Sequence, residues 1–109
     1  MNRLIQQKPR PTAVFAANDQ EAVGAIWACR EAGLDVPGDV SIMGAGNIEG
    51  VYHPNPFVTT IEWPRQELGR TAARILLDLI NKTNKEPGHS HVFKPELLIR
   101  HSTAPPRGS

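Results

Sequence analysis

Apolar and polar positions divide the 109-residue chain into two kinds of segment. Short apolar runs bounded by Asn, Gly or Pro predict strands, and longer stretches with apolar residues every three or four positions predict helices. Thr12-Ala13-Val14-Phe15-Ala16-Ala17 is almost unbroken, as expected of a strand buried on both faces of a parallel sheet. Asn18-Asp19 ends it and opens a helix. Either residue can cap orphan N–H groups, and Asn18 with Glu21 three positions later has the form of a capping box. Ala22, Ala25, Ile26, Cys29 and Ala32 recur at helical spacing, so one face meets a sheet. Gly33 supplies a left-handed residue after the helix, Leu34 folds back on the last turn, and Pro37 prevents renewed helix. Residues 40–44, VSIMG, are a second strand, and the crossover is long enough for a parallel, right-handed connection. Residues 11–44 therefore read as one strand–helix–strand unit. It places Asn18 at the carboxyl end of a strand, where open α/β sheets bind ligands.

The rest of the chain is sparser. Residues 45–56, AGNIEGVYHPNP, read as a loop. Gly44-Ala45-Gly46 is no dinucleotide fingerprint, because Gly50 falls one position late and Pro54 and Pro56 deny it a following periodic helix. Residues 57–61 are β-branched and aromatic, a third strand. Pro64, with Gln66 and Glu67, opens a long amphipathic helix that runs to about Lys82, with Leu68, Ala72, Ile75, Leu76, Leu79 and Ile80 on its apolar side. Residues 83–90 are a polar turn region. Residues 91–94 and 96–101 read as two short strands divided by Pro95, and 104–109 as a disordered tail. Leu4-Ile5 reads as the end of a helix leading into the first strand. The order is α/β, a partial open parallel sheet with too few strands to cover its second helix.

Composition narrows the function classes. Twelve Lys and Arg against eleven Asp and Glu give a net charge of +1, dispersed along the chain, so there is no basic footprint for nucleic acid or an anionic membrane. The single cysteine, Cys29, cannot form an internal disulfide and sits on an apolar helix face, a small buried hydrophobe. Residues 1–10 lack the apolar core of a signal peptide, and no run approaches spanning length, so a soluble, cytoplasmic protein with no membrane partner is expected. Of His53, His89, His91 and His101, only His89-x-His91 approaches ligand spacing, and no third ligand is near, so no metal is expected. With no Ser–His–Asp ordering, paired acids or activated thiol, neither a catalytic residue nor a cofactor is expected.

Five pieces in fixed order carry a resemblance: A-N-D at 17–19, G-L-x-V-P-x-D-V-S-I-x-G at 33–44, T-T-I at 59–61, P-x-x-x-L-G at 64–69 and L-I-R-x-S-T at 98–103. Over about residues 10–106 the chain resembles the C-terminal part of the effector-binding domain of lac-repressor/galactose-repressor family transcriptional regulators. The resemblance implies a periplasmic-binding-protein-like type I fold, in which two α/β subdomains close on a small effector behind a DNA-binding head. Residues 11–62 would be the core of the C-terminal subdomain, 63–94 a crossover helix and its return, 95–103 the final strand and 104–109 a flexible tail. DNA would be met only through a head that this chain does not contain.

The resemblance also assigns residues. Asn18 matches the Asn of the A-N-D motif and would contact a sugar hydroxyl or purine, or else simply cap its helix. Asp19 is expected as the cap. Gly46 stands where the family usually carries a carboxylate that grips effector hydroxyls, and Asn47 would be a partial substitute. Trp63, at the crossover, would stack on a flat or sugar-like ligand or else pack the start of the following helix. Val23 and Trp27 fall outside the sheet-facing stripe, on a helix that in the family contributes to the dimer interface. The expected role is the effector-sensing, dimerising portion of a repressor responsive to a sugar or related metabolite, with weak effector binding by this portion alone. A transport receptor of the same fold and a small α/β enzyme are the alternatives.

Overall fold

The computed structural model describes residues 1–82 and 90–108. Its elements are α1 (Asn2–Ile5), β1 (Ala13–Phe15), α2 (Asp19–Glu31), β2 (Ser41–Met43), α3 (Ile48–Tyr52), β3 (Thr60–Glu62), α4 (Arg65–Ile80) and β4 (Glu96–Leu98). They fall into two units, Met1–Glu62 with Leu97–Ser109, and Trp63–Glu96.

The first unit is built on the strand–helix–strand segment. Asn18 holds an extended backbone, and its side-chain oxygen accepts from the Glu21 N–H at 2.8 Å, closing the start of α2. At the other end Gly33 has φ 78°. The Leu34 N–H reaches Cys29 O at 2.8 Å and the Gly33 N–H reaches Arg30 O at 3.0 Å, the paired bonds of a Schellman cap. β1 and β2 are parallel, with Ala13, Val14 and Phe15 opposite Ser41, Ile42 and Met43. Ala22, Ala25, Ile26 and Cys29 of α2 pack with Ala16, Val40, Ile42 and Val58 into the core. Fully burying a side chain such as Ile42 or Val58 contributes about 1.5–3 kcal/mol. Burial also pushes the Cys29 thiol up from its ordinary pKa, so it behaves as the small hydrophobe its helix position implies.

β1 is not buried on both faces. Ala13 is exposed and Phe15 is 61 % exposed, because α2 covers only the side of the sheet toward which Val14 and Ala16 turn. The expected strand over 91–94 is also absent. Residues 90–95 carry no regular structure, and β4 begins only after Pro95. A strand needs an edge to pair with, and β4 already lies beside β3. The loop over 45–56 contains the short helix α3, which its Gly and Pro content concealed. The turn residues 83–89 lie outside the described residues.

An isolated parallel bridge, Met43 to Thr59, links β2 to the residue just before β3, and the Gly44 N–H donates to Thr59 O at 2.9 Å. Ser102 lies beside it. It is fully buried, and its carbonyl accepts from the Ile42 N–H at 2.8 Å. Its hydroxyl accepts from the Thr59 N–H at 2.8 Å and donates to Ile42 O. One side chain thus satisfies backbone groups on two neighbouring segments, Ile42 O in β2 and the Thr59 N–H just before β3. Nearby, the Thr59 and Thr103 hydroxyls lie 2.8 Å apart, and the Ser41 hydroxyl bonds both the N–H and the carbonyl of Ala104 at 2.9 Å. The segment expected as a loose tail begins at that anchored Ala104, and Arg107 pairs with Asp39 at 2.6 Å.

The second unit is α4 with its flanking residues. α4 buries only Thr71 and leaves Leu76, Leu77, Leu79 and Ile80 largely exposed. Its apolar stripe is as regular as its sequence predicts.

Ser102→Ala is expected to lower the unfolding free energy by about 2–4 kcal/mol, because two buried backbone groups lose their partner. A urea titration should show the midpoint fall at unchanged slope.

Candidate functional site

The candidate site is the edge of the first unit where β1 and β2 end. The local sequence decides which residue of Asn18-Asp19 does what. Asn18 takes the extended cap position, which makes Asp19 the first helical residue and turns its side chain inward. Asp19 is therefore not the cap. It is 3 % exposed, and both carboxylate oxygens are engaged. Thr60 Oγ1 donates to Oδ1 at 2.6 Å, and the Ile48 N–H donates to Oδ2 at 2.7 Å. The Asp19 N–H in turn donates to Ala45 O at 3.1 Å. A carboxylate in the first turn also meets the positive end of the helix dipole.

These bonds hold the chain leaving β2 against the start of α2. The approach is close enough to require glycine at position 44. A Cβ there would run into Asp19 Oδ1 and come within 3.2 Å of the Ala22 methyl. Gly46 has φ 113° and donates to Ile61 O at 2.8 Å. A carboxylate-bearing residue would be strained at that backbone angle, so the missing acid at 46 goes with the conformation of the loop.

Asn47 is 7 % exposed and also left-handed, with φ 57°. Its N–H reaches Thr60 Oγ1 at 3.3 Å, and its side-chain oxygen accepts from Nη2 of Arg100. Arg100 also donates from Nη1 to Val58 O at 3.2 Å and from its backbone to Thr59 Oγ1 at 2.9 Å. The amide oxygen expected to substitute for a ligand-gripping acid is thus turned to the guanidinium.

Of the residues singled out by sequence, Asn18 and Asn47 are brought to one edge through Asp19. Asn18 is half-buried, and its amide nitrogen can donate to a hydroxyl or a ring acceptor while its oxygen serves the cap. Trp63 opens the second unit and is 40 % exposed. Val23 and Trp27 part company. Val23 is half-buried against the core, whereas Trp27 is 65 % exposed. His89 lies outside the described residues, and among the described residues no three His, Cys, Asp or Glu side chains gather to hold a metal.

Thr60, Arg100 and Ser102 are the residues that sequence reasoning left without a role. The T-T-I and L-I-R-x-S-T pieces contained them, and the Thr60 hydroxyl inside a strand was the available signal.

A model of the periplasmic binding protein-like domain family matches residues 1–103. Over 104 residues the chain is 42% identical to the HTH-type transcriptional repressor PurR of Yersinia enterocolitica, covering 95% of the chain and 30% of that protein. The chain thus spans about a third of the curated relatives it matches. A LacI-family transcriptional regulatory protein from Corynebacterium glutamicum has the same fold at a TM-score of 0.77 and 36% identity, covering 96% of this chain and 40% of that one. A LacI family transcriptional regulator from Enterococcus faecium with bound ribose gives a TM-score of 0.77 at 38% identity, covering 95% of this chain and 38% of that one.

If Gly44 is required by Asp19, the two positions must couple. Gly44→Ala should cost about 1–3 kcal/mol alone. In an Asp19→Ala background it should cost about 1 kcal/mol less, a non-additivity that a double-mutant cycle of chemical denaturation reads directly.

Proposed function

The chain belongs to the periplasmic binding protein-like domain family, and on that premise we propose that it is the effector-sensing and self-associating portion of a small-molecule-responsive transcriptional repressor. The observation that carries this reading is the bonding of Asp19 to Ile48 and Thr60, which presents Asn18 and residues 44–47 together where β1 and β2 end. Ligands of open α/β sheets bind in the crevice outside those carboxyl ends. The family resemblance assigns Asn18 to that crevice, and the bound ribose of the Enterococcus faecium regulator supports a sugar-like ligand class.

The chemistry is recognition without catalysis. With glycine at 46 and the Asn47 oxygen held by Arg100, the edge grips by neutral amide groups rather than by a carboxylate. That fits a ligand with mixed donors and acceptors, a sugar or a purine, bound weakly by this portion alone. The resemblance assigns the aromatic ligand contact to Trp63, the first residue of the crossover segment. In the whole regulator, effector binding shifts the balance between two arrangements and thereby the DNA-binding state. Such a regulator works in the cytoplasm. No helix among the described residues is long and apolar enough to cross a membrane.

Self-association is assigned to α2. Trp27 is a large apolar side chain on the side of α2 away from the core, and Val23 one turn earlier supports it from the half-buried edge. The chain is expected to be a dimer or higher oligomer by light scattering at micromolar concentration. Trp27→Glu should shift it toward monomer without loss of the far-ultraviolet helix signal, and a wild-type monomer would remove the assignment.

The effector reading is tested at Asn18. Asn18→Asp keeps the capping oxygen and removes the amide donors, so fold and ligand roles separate. Millimolar ribose or hypoxanthine should shift the amide resonances of residues 18 and 45–48 in the wild type. In Asn18→Asp the shifts should vanish at unchanged thermal stability.

A further inference from the structure

Residues 44–48 are bonded to both places where the chain passes between the two units. Thr60, just before the first crossing, accepts from the Asn47 N–H and donates to Asp19. Arg100, just after the chain returns, donates to the Asn47 side-chain oxygen from one nitrogen and to Val58 O from the other. Its backbone N–H holds Thr59 Oγ1. The guanidinium is half-buried and forked, so it fixes direction as well as distance. Gly50 makes room for the pair, since a Cβ there would meet Asn47 Oδ1 and lie 2.8 Å from Arg100 Nη2.

We propose that Arg100 is a positioning residue, which holds Asn47 and so ties the effector-facing residues 44–48 to the segment returning from the second unit. The description of those residues as effector-facing rests on the function proposed above; the tie itself does not. Asn47 is the joint. Its left-handed backbone is set against β3 through Thr60 and its side chain against Arg100, so displacement of either crossing strand is felt at the same residue. This gives Asn47 a purpose that direct ligand contact does not. A charge-assisted bond from a partly buried guanidinium is among the stronger single contacts available to such a loop.

The test is amide hydrogen exchange on the full chain in three variants. Arg100→Met removes the fork at similar length. Asn47→Gly removes the side-chain oxygen while keeping a backbone suited to positive φ. Asn47→Asp keeps an acceptor. Exchange at Gly46, Asn47 and Ile48 should accelerate about tenfold or more in the first two variants and stay near wild type in the third, with Ser41 and Ala16 unchanged in all. Equal acceleration across β1 and β2 would make Arg100 a general brace and overturn the proposal. So would unchanged exchange in Arg100→Met and Asn47→Gly, or loss in Asn47→Asp as large as in Asn47→Gly. Titration with ribose provides the separate arm. Wild-type resonances that ignore ribose and hypoxanthine count against the effector reading, while the exchange ratios still decide the tie.

Discussion

The first unit depends on buried side-chain oxygens that bond backbone groups of neighbouring strand segments. Ser102 bonds the Thr59 N–H and both polar groups of Ile42, and the Asp19 carboxylate bonds Thr60 and Ile48. Each would be expensive to leave without partners and is fully engaged instead. The apolar core around Ile42, Val40 and Cys29 supplies the drive to collapse. The oxygens decide which collapsed arrangement has no orphaned backbone.

The same bonds make the candidate site. Gly46 and Asn47 hold positive-φ backbones that a free loop would rarely keep, and they persist because Asp19, Thr60 and Arg100 over-determine the segment. A recognition edge is useful only if its donors stand still, and here the edge is fastened by the groups that close the core. What lies outside those bonds is left open. Phe15 on one sheet face, Trp27 on α2 and the leucines of α4 are exposed apolar surface on a chain spanning about a third of its curated relatives.

The sequence showed the local features well. α2 could be read from end to end, because its cap, its buried stripe and its Gly33 terminus are each decided within a few residues. The α4 stripe was equally plain. Readings failed where the answer lay elsewhere in the chain. Burial of β1 depends on what covers Phe15, and a strand over 91–94 depends on a free edge. Asp19 could not be told from a cap by composition, because its partner Thr60 is 41 residues away. The position of Asn47 just past the end of β2 was legible, whereas the direction of its side chain was not, since Arg100 lies 53 residues on. A family pattern named the pieces Thr60, Arg100 and Ser102 belong to, and only the fold showed what they hold.

Native-state hydrogen exchange on the wild-type chain tests the dependence on these oxygens most directly. The amides of Ile42 and Thr59, both bonded to Ser102, should exchange with the same opening free energy as Ala16 and Ser41, which tie β1 to β2. Exchange of Ile42 and Thr59 about a hundredfold faster than Ala16 and Ser41 would contradict it, because Ser102 would then be a passenger on a core that holds without it.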